Sequence, residues 1–186
     1  NLSVRTKKNY ILSTASKTNK SFIKPADLVK CDLKGKKLSG KRQLSTELKL
    51  HLYIYSKRKD VNAVIHTHPI YITSYAAAGK KLPANILPEV YMQFGSIPLA
   101  PYAAPSTDEV PASIEPYVME CNAVILSNHG LVAYGKTIEE AYYITQKLEQ
   151  YAQICFNAKL LGGAKAITAA QLKKLDALKD TVYKSK

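Results

Sequence analysis

Two short apolar runs, each leading directly towards histidine, constrain the fold of this chain more than any other feature. Residues 61–65 lead into His66 and His68, and residues 123–126 lead into a polar turn that contains His129. Apolar runs of this length with polar ends predict buried β-strands. Because alternate residues of a strand point to one face, His66 and His68 can both reach a single ion. If the two strand ends lie together, His129 completes a site of three imidazoles.

Three histidines around an open position are the arrangement of a catalytic zinc site, whereas structural zinc is normally held by four ligands. A His-x-His pair alone is more often an ordinary polar strand end, and the third histidine in a matching position is what favours a metal. Gly130 follows His129, and a glycine there permits a tight turn that aims the preceding ring inward. The sequence therefore predicts a Zn²⁺ site at His66, His68 and His129, with other divalent metals as alternatives.

The rest of the pattern predicts one domain over residues 1–186, with strands that come both as hairpins and separated by helices. Proline at positions 88, 98 and 101 excludes a long helix there and predicts strand and loop. This mixture indicates an α/β (α+β) fold with a mixed or mostly antiparallel central sheet covered by helices. The expected strands are residues 2–5, 10–13, 28–33, 61–65, 123–126 and 131–135, and the expected helices are residues 45–55, 70–78, 137–161 and a terminal one from 168. Each of the last two helices opens with a capping box, at Thr137 and at Thr168.

The segment 45–55 is the most ambiguous of these elements. Ser45 or Thr46 can cap a helix, whereas the aromatic and aliphatic residues that follow would also suit a strand. The cap and the two-turn length favour a helix. On that helix Glu47 and His51 stand four residues apart, on one face.

The charge of the chain narrows the choice of partners. The 186 residues carry a net charge of +13, and only three of the 27 basic residues are arginine. Lysines spread along the chain predict a solvated surface that can attract an anionic small substrate, and they favour neither nucleic-acid binding nor a membrane. The chain has no apolar run near the ~20 residues needed to cross a bilayer, and no secretory signal opens it. We therefore expect a soluble, cytoplasmic protein.

Several motifs, taken in order, resemble the class II aldolase/adducin family. They are Ser45-Thr46-Glu47, His66-Thr67-His68-Pro69, Pro98-Leu99-Ala100-Pro101-Tyr102 and Ser127-Asn128-His129-Gly130. The resemblance runs from Asn1 to about Leu161, and the first residues resemble a segment that follows the family's first helix, so we expect that helix to be missing here. The resemblance implies the three-layer fold of the family.

The resemblance also implies roles for individual residues. In aldolases of the family three histidines bind zinc, a glutamate moves protons, and a tyrosine takes part in catalysis. A Thr-Gly pair that binds phosphate in the family is replaced here by Ala15-Ser16, and Ser45 and Thr46 could equally serve as helix caps. The expected zinc ligands are His66, His68 and His129, the expected catalytic residues are Glu47 and Tyr91, and the expected phosphate-binding residues are Asn1, Ser16, Ser45 and Thr46.

The resemblance implies a zinc-dependent aldolase that cleaves a small sugar phosphate, such as a ketose 1-phosphate, through an enediolate, and that assembles as a homo-oligomer, commonly a tetramer. A dehydratase, decarboxylase or epimerase of the same family is the alternative; the epimerase ranks lower because it usually has Asp at the position of Glu47. Two hypotheses from other classes are an adducin-like binding module, which would lack the metal histidines, and a nucleic-acid binder that uses the positive charge.

Overall fold

The computed structural model describes residues 1–182, and residues 183–186 of the predicted domain lie outside the described part. The fold within this range is one mixed sheet with helices on both faces. The strands are β1 Leu2–Arg5, β2 Ile11–Ser13, β3 Val29–Cys31, β4 Lys37–Ser39, β5 Ala63–Thr67, β6 Leu99–Ala100, β7 Ala123–Leu126 and β8 Gly130–Gly135. The helices are α1 Leu48–Lys57, α2 Ile70–Ala77, α3 Pro88–Phe94, α4 Glu109–Ile114, α5 Ile138–Leu160 and α6 Ala169–Val182.

The strand order places the two histidine-bearing segments side by side. The order is β4-β3-β2-β1-β5-β8-β7-β6, and every described pair is antiparallel except β6 with β7. His66 pairs with Val132 and Thr67 with Leu131, so the end of β5 lies against the start of β8. Strands β7 and β8 form a hairpin whose turn carries His129. The predicted mixed, mostly antiparallel sheet is confirmed.

Each face of the sheet buries a large apolar cluster, which gives three layers. On one face Val132 and Tyr134 pack with α1 and α4, and on the other Leu131 and Ala133 pack with α2 and α5. This alternation along β8 follows from the period of two in a strand. Each fully buried aliphatic or aromatic side chain stabilises the fold by about 1.5–3 kcal/mol. The two clusters therefore fix the sheet that carries the histidines.

The structure corrects the prediction at two helices, the start of one and the existence of the other. Helix α1 begins at Leu48, with Glu47 at its N-cap, rather than at Ser45. It is a helix because Leu50 and Ile54, four residues apart, both pack into the core. Pro88 opens helix α3 where strand and loop were predicted, since proline suits the first turn of a helix. Helix α4 and strands β4 and β6 were not predicted.

The longest described helix, α5, is anchored at its start by the predicted cap. Thr137 accepts a hydrogen bond from the Glu140 backbone N at 3.2 Å, and the Glu140 carboxylate accepts one from the Lys136 backbone N at 2.6 Å. Its 23 residues bury one face, including Leu148 and Tyr151. Within residues 1–182 no helix combines the length and the apolar character that crossing a membrane requires.

Candidate metal centre

Three histidine rings meet where β5 ends and the β7–β8 hairpin turns. One ligand nitrogen from each of His66, His68 and His129 lies within 4.8 Å of the other two, and the ring centroids are 4.7–5.1 Å apart. The Nε2 atoms of His66 and His129 are 3.2 Å apart. Two nitrogens that bind one tetrahedral zinc ion lie about 3.3 Å from each other. These residues therefore fit a common divalent ion.

A hydrogen bond fixes the ring of His66 in an orientation that suits metal binding. Its Nδ1 donates to the Leu131 backbone O at 2.9 Å, which leaves the Nε2 lone pair aimed at His129. Burial, assisted by the nearby His129 ring, lowers the pKa of His66 to about 3. Burial and the same ring also lower the pKa of His68, although the charge of Glu47 opposes the shift. In both rings the shift favours the neutral form, which is the form that binds a metal.

Gly130 makes room for the His68 ring. A Cβ on Gly130 would lie 2.5 Å from the Thr67 backbone O and 2.6 Å from His68 Cδ2, closer than real Cβ atoms approach other groups. The predicted role of Gly130 in the turn needs correction, because the left-handed residue there is Asn128, with φ 56°. The glycine serves the close approach of β8 to the end of β5.

A carboxylate from α5 anchors the segment that follows His68. Glu149 accepts hydrogen bonds from the backbone N of Tyr71 at 2.9 Å and of Ile72 at 3.0 Å. These are free donors in the first turn of α2, and a negative charge is stabilised there by the helix dipole. Because α2 begins two residues after His68, this cap restrains the position of the His68 ring.

Glu47 lies at the rim of the same cavity, which has a volume of about 420 Å³. Ser106 donates a hydrogen bond to Glu47 Oε1 at 3.0 Å, and the Ser106 and Thr46 hydroxyl oxygens are 2.6 Å apart. Ser106 has φ 68°, so its side chain is held in an unusual backbone conformation. No motif in the sequence pointed to Ser106, which is separated from Glu47 by 59 positions. The carboxylate is therefore oriented by a distant loop.

The predicted phosphate-binding residues separate into two groups. Asn1 lines the cavity, together with Lys20, which the sequence analysis did not single out. Ser45 accepts a hydrogen bond from the Glu47 backbone N at 3.3 Å, and Ser16 donates its backbone N to Gln43 O at 3.0 Å. The lining residues are Asn1, Lys20, Glu47, His66, Thr67, His68 and His129.

Tyr91 occupies a different environment. It lies on α3, and its hydroxyl donates to Asp176 Oδ1 on α6 at 2.8 Å. This bond raises the pKa of Tyr91, with a further contribution from burial. Among the described residues no contact joins Tyr91 to the three histidines, and its catalytic role stays a prediction.

Behind Asn1 lies a buried polar chain that sequence reasoning noted only as the Glu47–His51 spacing. His51 Nε2 lies 2.5 Å from Asn1 Oδ1, and His51 Nδ1 lies 2.7 Å from Ser3 Oγ. Ser3 Oγ lies 2.9 Å from the Tyr55 hydroxyl, which donates to the Ser3 backbone O at 2.9 Å. Burial, with the nearby His66 adding to the effect, holds the pKa of His51 well below its usual value.

Comparison with known proteins assigns this architecture to a family. The family model for the class II aldolase and adducin N-terminal domain matches residues 1–156. A 5-deoxy-D-ribulose 1-phosphate aldolase of Bacillus thuringiensis is 33% identical over 152 residues, which cover 82% of this chain and 71% of that protein. An L-fuculose phosphate aldolase of Methanococcus maripaludis is 34% identical over 162 residues, covering 87% of this chain and 86% of the relative.

A relative of another activity and a solved structure complete the comparison. A 3-oxo-tetronate 4-phosphate decarboxylase of Haemophilus influenzae is 28% identical over 160 residues, covering 84% of this chain and 76% of the relative. A solved structure of an L-fuculose 1-phosphate aldolase superposes with a TM-score of 0.86 at 28% identity, covering 97% of this chain and 84% of that one. The chain therefore belongs to the class II aldolase and adducin family, a family of lyase-type enzymes.

Proposed function

We propose that this protein is a metal-dependent aldolase that cleaves a small sugar phosphate, such as a ketose 1-phosphate. The observation that carries the proposal is the group of three histidines with the Glu47 carboxylate at the same cavity. The names of two relatives, a 5-deoxy-D-ribulose 1-phosphate aldolase and L-fuculose phosphate aldolases, support this reaction class.

His66, His68 and His129 would hold the divalent ion, for which Zn²⁺ is our proposal. When bound, such an ion supplies a Lewis acid that polarises the carbonyl and hydroxyl oxygens of a ketose. Leu131 O keeps the proton of His66 on Nδ1, so its Nε2 remains available as a ligand.

Glu47 is the proposed proton carrier. In retro-aldol cleavage a hydroxyl group loses its proton as the adjacent carbon–carbon bond breaks, which releases an aldehyde and leaves an enediolate. A carboxylate at the cavity rim can take up a proton in this step and return one to the enediolate carbon, so none is lost overall. The Ser106 hydroxyl, 3.0 Å from Glu47 Oε1, orients the carboxylate for both transfers.

An anionic end of the substrate is the proposed partner of the residues around Asn1. Lys20 supplies a positive charge to the cavity wall, and its Nζ donates to the Thr18 backbone O at 2.7 Å, which holds it in place. Asn1, Ser16, Ser45 and Thr46 remain the proposed phosphate-binding residues. A hydroxyl and amide set beside one lysine suits a phosphate group.

A decarboxylase acting on a phosphorylated keto acid is the second candidate, favoured by the Haemophilus influenzae relative. Loss of carbon dioxide also leaves negative charge next to a carbonyl group, so the same metal ligands and Glu47 would serve it. A dehydratase or epimerase of the family would use the same chemistry.

The test starts with metal analysis of protein purified without chelator. We expect about one divalent ion per chain, and its loss in His66→Ala and His129→Ala. His51→Gln is the matched control because it changes the one histidine outside the group, and it should retain the metal. A panel of ketose 1-phosphates and phosphorylated keto acids, with detection of aldehyde and carbon dioxide, separates aldolase from decarboxylase. Metal-free wild-type protein would overturn the proposal and favour an adducin-like binding module.

We also propose a homo-oligomer, commonly a tetramer in this family, with sites near subunit boundaries. Ile70, directly after the metal-binding segment, is 76% exposed, and Leu160 and Leu161 are 72% and 87% exposed. Leu160 and Leu161 are adjacent in the sequence, and neighbouring exposed apolar side chains favour a subunit contact, whereas single ones are ordinary. Light scattering at micromolar concentration tests the proposal, and a monomer would contradict it.

A further inference from the structure

We propose that His51 is a positioning residue that turns the Asn1 side-chain amide so that its Nδ2–H groups face the cavity and bind an anion. The inference rests on the proposed function, because it assumes that Asn1 contributes to the phosphate site. The buried polar chain behind Asn1 consists of four side chains, those of Tyr55, Ser3, His51 and Asn1.

This buried polar chain is inaccessible to solvent along most of its length. Ser3, His51 and Tyr55 are each 1% exposed, whereas Asn1 is half-buried and lines the cavity. Buried polar atoms need hydrogen-bond partners, because an unsatisfied one costs about 1–3 kcal/mol. A buried imidazole without a carboxylate beside it remains neutral and carries one ring proton. The direction of each hydrogen bond therefore depends on which ring nitrogen of His51 carries the single proton.

The side-chain amide of Asn1 sets the direction of these hydrogen bonds. Its Oδ1 faces His51 Nε2 at 2.5 Å and can only accept, so in this amide orientation Nε2 carries the ring proton. Nδ1 is then bare and accepts from Ser3 Oγ at 2.7 Å. The Tyr55 hydroxyl donates to Ser3, whose backbone O and Oγ both lie 2.9 Å away, in a three-centre hydrogen bond. All donors thus point from the core towards the cavity.

This direction determines what the amide of Asn1 presents to a ligand. With Oδ1 engaged by His51, the two Nδ2–H donors are directed away from the core, as an anion requires. The opposite tautomer, with the proton on Nδ1, would require Nδ2 to face His51 and would turn the amide oxygen towards the anion. Lys20 supplies charge to the same cavity but does not set this orientation.

Two substitutions of His51 distinguish a role in orienting Asn1 from a role in filling space. In His51→Gln the side-chain amide places an N–H donor near the position of Nε2 and still reaches Asn1. In His51→Asn the shorter amide stays at the level of Nδ1, beside Ser3, and does not reach Asn1. We expect zinc-loaded His51→Gln to bind inorganic phosphate within about threefold of wild type, and zinc-loaded His51→Asn to bind it about tenfold more weakly, since one oriented donor to an anion is lost.

The probe is inorganic phosphate titrated by calorimetry, with the zinc content of each variant measured in parallel. ¹⁵N NMR of the wild-type protein reads the tautomer directly, and we expect the proton on Nε2 of His51. A proton on Nδ1, or phosphate affinity in His51→Asn equal to wild type, overturns the inference. Should His51→Asn fail to fold, Ser3→Ala removes the donor to Nδ1, and we expect it to weaken phosphate binding and to mix the two tautomers; an unchanged tautomer and affinity would count against us.

Asn1→Ala distinguishes failure of this inference from failure of the phosphate site itself. If Asn1→Ala binds phosphate as wild type does, Asn1 is not a phosphate ligand, and that part of the proposed function falls together with the inference. If Asn1→Ala weakens binding but His51→Asn does not, the phosphate site stands and only the positioning role is refuted. Weakening in both, with His51→Gln near wild type, supports both proposals.

Discussion

Replacing Gly130 by alanine should damage the proposed metal centre by steric displacement alone. The added Cβ would lie 2.6 Å from His68 Cδ2 and 2.5 Å from the Thr67 backbone O, whereas ordinary contacts begin at 3.4 Å. The His68 ring and the end of β5 must therefore retreat by about 0.8 Å to reach an ordinary contact, and metal–ligand distances tolerate only about 0.2 Å.

The magnitude follows from this displacement. Overpacking a well-packed site costs about 1–3 kcal/mol, which for a chain of this size lowers the Tm by about 2–12 °C. Misplacing one ligand should weaken zinc binding by at least the roughly 10- to 100-fold seen when a ligand loses its supporting contacts. Both effects come from one methyl group that carries no charge and donates no hydrogen bond.

The assay is zinc competition against a chromophoric chelator, with thermal unfolding measured in the metal-free and zinc-loaded states. Gly135→Ala is the matched control at the other end of β8, where the three atoms nearest to the added Cβ all belong to the Glu140 side chain, at 2.9 Å, so the strain falls on the start of α5 and not on the histidines. We expect wild-type zinc affinity in Gly135→Ala. Wild-type affinity in a folded Gly130→Ala variant would refute the reasoning.

Three further outcomes follow from the site. In the metal-free protein the pKa of His66 is about 3, against an ordinary 6.5, so the unfolded state takes up the proton first. The free energy of unfolding present above pH 6.5 should fall by about 3 kcal/mol by pH 4.5. In His66→Gln the free energy of unfolding, measured by urea titration, should depend less on pH over this range. Ser106→Gly relieves a left-handed φ of 68° but removes the hydrogen-bond donor to Glu47. Unfolding experiments should therefore show equal or higher stability, while kcat for the active sugar phosphate falls. An unchanged kcat would exclude the orienting role of Ser106. Glu149→Gln keeps one acceptor at the start of α2 and loses the charge, so thermal unfolding should show a loss of about 1 kcal/mol, and an unchanged Tm would contradict the cap.

The sheet and the histidine group were predictable because both depend on local rules. A buried strand followed by His-x-His puts two rings on one face, and the antiparallel pairing of β5 with β8 brings in His129 from the neighbouring hairpin. The caps at Thr137 and Thr168 were readable for the same reason, since each uses residues three positions apart. The predictions were correct where residues close in the sequence are also close in space.

The remaining parts depend on contacts between distant positions. Ser106 reaches Glu47 across 59 positions, and His51 reaches Asn1 across 50, so no spacing in the sequence announces either bond. The predicted start of α1 was wrong because Ser45 accepts a hydrogen bond from the Glu47 backbone N while lying outside the helix. For Gly130, the sequence signalled the residue but not its reason, because the close approach involves a strand 63 positions away in the chain.

Strand β4 forms one border of the sheet, and it bears on how molecules of this protein behave at high concentration. Its residues Lys37–Ser39 are all exposed, and lysine also stands at positions 34, 36 and 41. An open sheet border invites pairing with another chain, and clustered positive charge opposes that association. Acetylating these amines would remove the repulsion and should favour aggregation through this border. The lysines at this edge therefore help to keep separate molecules from pairing their sheets.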